Sequence, residues 1–289
     1  MEDNIISSAK KLMMNSSIIK IMGKKEIEKV LENAYLFSME SDFYDEYGKH
    51  DFNYSYDRLE GFNKNGKIYL NPMFATPHSV IHHALHVLSS KYNEKGEKVA
   101  DGIQLDIENW REKMLNEGLT DYLARKISKE ETRAYKAGNY FFENMDKITT
   151  KRYNEDYLMK IYLTNNQEEL RNFFREYGGE EIEESVFKRK GILGKKEIEQ
   201  YLCKIDKKVD KEIKQEKIIN KIKKIFRISS NKQLAEKNDR KNEEKEKNEE
   251  KFNYFKSLKV EVNNEKNMGQ NKKDKTKGKD SNIKKEQGR

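Results

Sequence analysis

The sequence predicts an α+β chain that is mainly helical, with a small sheet, a charged C-terminal helix and a disordered tail. Three observations carry this reading. Apolar residues recur at helical spacing in several separate stretches. Residues 61–72 join Asn-Gly turn chemistry to a short β-prone run. From about Ser229 the apolar residues become too sparse to offset backbone ordering, which costs ~1–2 kcal/mol per residue. Of the 289 residues, 35% are hydrophobic and 38% charged, which excludes a packed core running the full length. The chain accordingly divides into an N-terminal arm (1–23), a folded domain (24–190), a charged helical extension (191–228) and a Lys/Glu/Asn-rich tail (229–289).

Taken in order, residues 5–22 read as either a short helix or a loose arm. Ile27, Val30, Leu31, Ala34 and Tyr35 give a helix over 24–38. Residues 41–56, rich in Tyr, Phe and Asp, read as irregular. The Asn65-Gly66 pair makes 61–72 a hairpin. Thr76 and Pro77 suit the N-cap and first position of a helix over 77–90. Residues 93–102 form a polar connection and 103–108 have no clear assignment. A helix over 112–128 packs through Leu115, Leu119, Tyr122, Leu123 and Ile127. Further helices follow over 130–146 and 156–163. Asn165 or Asn166 caps another, which ends at Gly178-Gly179. Residues 195–228 form a long, exposed, charged helix.

The formal net charge of +8 is unevenly placed. From Ile205 onward there are 27 Lys and Arg against 16 Asp and Glu, a net +11, which leaves the first 204 residues at −3. The basic character therefore belongs to the C-terminal region, where Lys272–Lys285 would attract nucleic acid or an anionic membrane weakly and with strong salt dependence. One cysteine, Cys203, excludes an internal disulfide. Asn15-Ser16-Ser17 breaks up the start of any secretory h-region, and no apolar run approaches the ~18 residues of a membrane span. The expectation is a soluble cytoplasmic protein.

The stretch that carries chemistry is 77–90, which holds four of the five histidines. On a helix, Ile81, Ala84 and Leu88 make an apolar stripe, while His78, His82 and His86 line up on another face. Imidazoles at i and i+4 can reach one tetrahedral metal ion. About thirty residues later comes Asn116-Glu117-Gly118-Leu119-Thr120-Asp121-Tyr122-Leu123.

Together the two stretches resemble the gluzincin metallopeptidases, and more narrowly small zincin-like proteins of low-GC bacteria. The resemblance covers about residues 61–127. It implies a zincin-like metallopeptidase domain, a zinc ion held by His82, His86 and Glu117, and Asp121 hydrogen-bonded to the far nitrogen of His82. It also implies a peptide or protein ligand that pairs with an edge strand at Ile68, Tyr69 and Leu70. His78 is given a capping or surface role, with extension of the metal cluster or a hydrogen bond that supports it as the alternatives. The family's catalytic Glu would stand at position 83, where this chain has His83. In hydrolytic members that Glu carries the proton from attacking water to the leaving amine. His83 is rotated by ~100° from His82 and should point beside a metal. The expectation is lost catalysis, a pseudoenzyme; the alternatives are a slow or altered zinc peptidase, or an interaction protein acting through its basic C-terminal region. None of the sixteen tyrosines stands out as an oxyanion donor.

Overall fold

The structure is a computed structural model. It describes residues 2–50, 59–130, 135–188 and 194–235. Within these the chain is mainly helical with small sheets. The order is α1 (Glu2–Met14), α2 (Ile18–Met22), α3 (Lys24–Glu32), β1 (Ala34–Leu36), α4 (Glu40–Gly48), β2 (Gly61–Lys64), β3 (Lys67–Leu70), α5 (Pro77–Ser89), β4 (Lys91–Tyr92), β5 (Lys98–Ala100), α6 (Trp110–Ser128), α7 (Lys136–Arg152), α8 (Tyr157–Thr164), α9 (Gln167–Tyr177), α10 (Glu180–Phe187) and α11 (Lys195–Ala235). The chain falls into two units, Met1–Lys217 and Ile218–Arg289.

α5 is the centre of the first unit. It packs against α1, α3, α6, α8 and both strands of the β2–β3 hairpin. Its start is set locally: the Thr76 side chain accepts from the Ser79 backbone, the Ser79 side chain accepts from the Thr76 backbone, and Pro77 follows the cap. Val80, Ile81, Ala84 and Leu85 are fully buried, so the apolar stripe read from the sequence is the core-facing side. The hairpin turns at Asn65 and Gly66, whose φ values of 52° and 75° are those of a type I′ turn.

Sheet order is β1-β3-β2, with β1 parallel and β2 antiparallel to β3. Ile68 and Leu70 face the main core, while Tyr69 stacks on Phe62 at 4.7 Å within a separate aromatic cluster with Phe43 and Tyr47. This corrects the expected substrate edge. β3 is the central strand, so the backbone of Ile68, Tyr69 and Leu70 is engaged on both sides, and among the described residues the edges are β1 and β2.

Several boundaries differ from expectation. The arm at 1–23 is no loose arm: α1 and α2 bury Ala9, Met13 and Ile18 completely in the main core. The helix expected over 24–38 stops at Glu32, because Ala34, Tyr35 and Leu36 pair with Ile68, Tyr69 and Leu70 as a strand. Long-range pairing here overrides a helical period. Residues 40–48 are helix α4 rather than irregular chain; 51–58 lie outside the described residues. The extension expected to be exposed begins inside the fold, with Ile198, Leu202, Ile205 and Val209 of α11 buried in the main core. The folded unit therefore reaches Lys217, beyond the expected limit at 190. Most of the tail, 236–289, lies outside the described residues. No described helix is long and apolar enough to cross a membrane.

Candidate metal centre

α5 and α6 face each other and bring His82, His86 and Glu117 together. His82 Nε2 lies 3.2 Å from His86 Nε2. Glu117 Oε2 lies 3.4 Å from the first and 3.5 Å from the second. Bonds of ~2.0–2.1 Å at tetrahedral angles put neighbouring ligand atoms about 3.3–3.4 Å apart. The three atoms thus form one face of a tetrahedron sized for such an ion, and the residues present fit a small divalent metal. Side-chain exposure rises from 5% at His86 through 12% at His82 to 20% at Glu117, so the cluster is open on one side.

The hairpin between α5 and α6 supplies the next contact. Asp101 Oδ1 and Oδ2 lie 3.0 and 3.1 Å from His86 Nδ1. This fixes the Nδ1–H tautomer when the ring is neutral and leaves the Nε2 lone pair facing the cluster. Ser89 and Lys98 also donate to Asp101. Asn116, beside Glu117 on α6, accepts from the Ile103 backbone at 3.0 Å, and Asn165 donates to the Gly102 carbonyl at 2.9 Å. Those two amides clamp the segment that carries Asp101 beneath α5.

The electrostatics follow from this arrangement. Burial pushes the His86 imidazole down, but Asp101 and Glu117 outweigh it and hold it up at about 10. Burial raises Asp101 and Glu117, yet the imidazoles, with Lys98 at Asp101, hold both below the usual carboxylate range. Both acids are therefore anionic at neutral pH, as ligation and its support require.

His78 and Asp121 differ from expectation. Asp121 Oδ1 lies 2.9 Å from His78 Nε2 and 3.8 Å from His82 Nδ1, so its hydrogen bond goes to His78 and not to His82. Its other oxygen accepts from Asn139. His78 is buried and sits 3.3 Å from Ser128 Oγ through its second nitrogen, neither a cap nor a surface residue. His78, His82 and Asp121 form a second group whose ligand atoms converge, but it shares His82 with the first.

His83 belongs to neither group of converging ligand atoms, and its ring stands nearly perpendicular to that of His82 at 5.3 Å. Its ring lies against β2, where a Cβ on Gly61 would come within 3.0 Å of it, so the missing side chain of Gly61 is the room that His83 fills. His83 Nδ1 is enclosed with no hydrogen-bond partner, and burial, with the neighbouring His82 and His86, holds the ring well below the usual histidine range. It is neutral at pH 7.

No protein-family description, curated protein or solved structure matches the chain.

Two residues at the site escaped the sequence. Asp101 sat in an unremarkable polar connection. Tyr135 precedes α7 with a φ of 45°, uncommon for a residue with a side chain, and its ring lies parallel to His82 at 6.3 Å. Desolvation beside the cluster, together with the Glu117 charge, pushes its phenol up. Neither residue had a local signal, since both reach the cluster only through tertiary packing.

Proposed function

We propose that the chain is a zinc-binding relative of the gluzincin metallopeptidases whose hydrolytic power is impaired at His83. The observation that supports this best is the triangle of His82 Nε2, His86 Nε2 and Glu117 Oε2 with edges of 3.2, 3.4 and 3.5 Å. Two imidazoles and a carboxylate are a donor set that suits zinc, and three protein ligands with an open side are the pattern of a reactive rather than a purely structural site. Zinc bound there would supply Lewis-acid polarisation of a carbonyl and a lowered pKa for water.

The chain's own residues do the rest. His82, His86 and Glu117 hold the ion. Asp101 orients His86, and the Tyr135 ring lies parallel to that of His82. His83 stands where a hydrolytic member carries its proton shuttle, but a neutral ring wedged against Gly61 does not carry a proton between water and a leaving amine. β2, an edge strand next to α5, takes over the peptide-pairing role first given to β3. Zinc binding with little hydrolysis points to capture of an extended peptide.

Elemental analysis of the purified protein tests this reading. About one zinc per chain is expected, lost in Glu117→Ala and kept in Glu181→Ala, which changes an exposed carboxylate on α10. Glu112 is no control, since it is buried and accepts from the Leu105 and Asp106 backbones. Full zinc in Glu117→Ala would remove the assignment.

A further inference from the structure

The second unit opens with a helical segment whose chemistry is unlike the rest of the chain. From Ile218 to Lys232 there are five Lys or Arg and no Asp or Glu, although acidic residues are frequent before and after. The same segment carries Ile218, Ile219 and Ile222. At 100° per residue these span an arc of about 100° on one side of α11, and Ile225 and Phe226 continue the same spacing in the sequence. Ile218 and Ile219 are 41% and 48% exposed, against full burial for Ile205 and Val209 earlier in the same helix. Lys221, Lys223 and Lys224 are exposed and lie outside the apolar arc.

We infer that this segment of α11 binds the surface of an anionic lipid bilayer. A basic helix with a narrow aliphatic face lies in the plane of a membrane interface, with its isoleucines among the acyl chains and its lysines at the headgroups. The charge excludes the obvious competitors. Pairing with the same segment of a second copy in register would bring two sets of five cations together with no acid between them. Nucleic acid would use the lysines but leave the isoleucines in water. A second attachment signal follows in the tail, where Lys272–Lys285 holds seven Lys and two Asp. This inference is independent of the metal centre.

The full chain is sedimented with phosphatidylcholine vesicles and with vesicles in which about a quarter of the lipid is phosphatidylglycerol. Binding is expected to the mixed vesicles and not to phosphatidylcholine alone, and to weaken as salt rises. Ile218→Ser/Ile219→Ser, which leaves the charge as it is, should lower the binding about tenfold or more while the thermal midpoint is unchanged, both side chains being exposed. Undiminished binding by that variant would overturn the inference, leaving charge alone as the cause. Equal binding to both vesicle types, or none to either, would also overturn it. So would a concentration-dependent dimer that the isoleucine change abolishes.

Discussion

Asp101 and His86 are joined through 3.0 and 3.1 Å contacts between the carboxylate and Nδ1, although one sits on a hairpin and the other on the central helix. The carboxylate sets which nitrogen of His86 faces Glu117 and raises its basicity as a ligand. Asp101→Asn should therefore weaken zinc binding by about 10–100-fold. Competition against a chromophoric chelator measures it, and an unchanged affinity would show that His86 needs no orienting partner.

His78 and Asp121 form a buried pair at 2.9 Å. Changing either disturbs a buried polar atom of the other, although Asn139 and Ser128 remain as second partners, so His78→Gln and Asp121→Asn should each cost about 1–3 kcal/mol of stability. The double variant should cost much less than the sum. Metal content should stay full throughout, because Asp121 is 3.8 Å from His82. Loss of zinc in Asp121→Asn alone would mean that the acid acts on His82 after all.

Gly118 follows the candidate ligand Glu117 and meets Gly138 of α7, where a Cβ on Gly118 would sit 2.9 Å from the Gly138 Cα. Backbone cannot yield as a side chain does. Gly118→Ala should destabilise by about 1–3 kcal/mol and lower zinc occupancy by shifting α6 against α5. A denaturation curve superimposable on wild type would show that the two helices can slide apart freely.

The buried side chains of α11 set a truncation test. Ile198, Leu202, Ile205 and Val209 each contribute ~1.5–3 kcal/mol through burial, and domain stability is only ~5–15 kcal/mol. A chain ending at Lys217 should fold and retain metal, while one ending at Gly191 should not give a cooperative melt. Cooperative melting of the shorter chain would place α11 outside the folded unit.

On the proposed function, replacing His83 with Glu would supply a proton carrier on the same turn as His82. General acid–base help is commonly worth ~10²–10⁴ in rate. His83→Glu should therefore gain chelator-sensitive cleavage of an unfolded protein substrate over a wild-type chain with little or none. Adding His86→Ala should abolish the gain. Strong proteolysis by the unmodified chain would contradict the impaired reading.

The three candidate ligands were legible because the signals for them are local. His82 and His86 are one turn apart on one helix, and Glu117 lies in a short run on another. Contacts made by distant segments were not legible. Asp101 reaches His86 only because Asn116 and Asn165 pin the intervening loop. β3 looked like an edge because its parallel neighbour, β1, comes from Ala34–Leu36, which also fits a helical period. The arm could be read as loose and the start of α11 as exposed because sparse apolar residues at helical spacing read as surface until a core is present to receive them. His78 was misplaced for a similar reason, as nothing near it in sequence announces Asp121 or Ser128 as partners.

His82 and His86 lie on α5, Glu117 on α6, and the stretch between them runs through the β4–β5 hairpin that carries Asp101. With one cysteine, the chain cannot cross-link itself covalently. An ion held by these three residues would close a loop of about thirty residues, a constraint whose main effect falls on the unfolded chain and grows slowly with loop length. Metal supply would then act as a tether on the unfolded ensemble. Protein made in a chelated medium would differ from metal-replete protein first in how fast the β4–β5 hairpin exchanges its amide hydrogens, well before any difference in secondary structure.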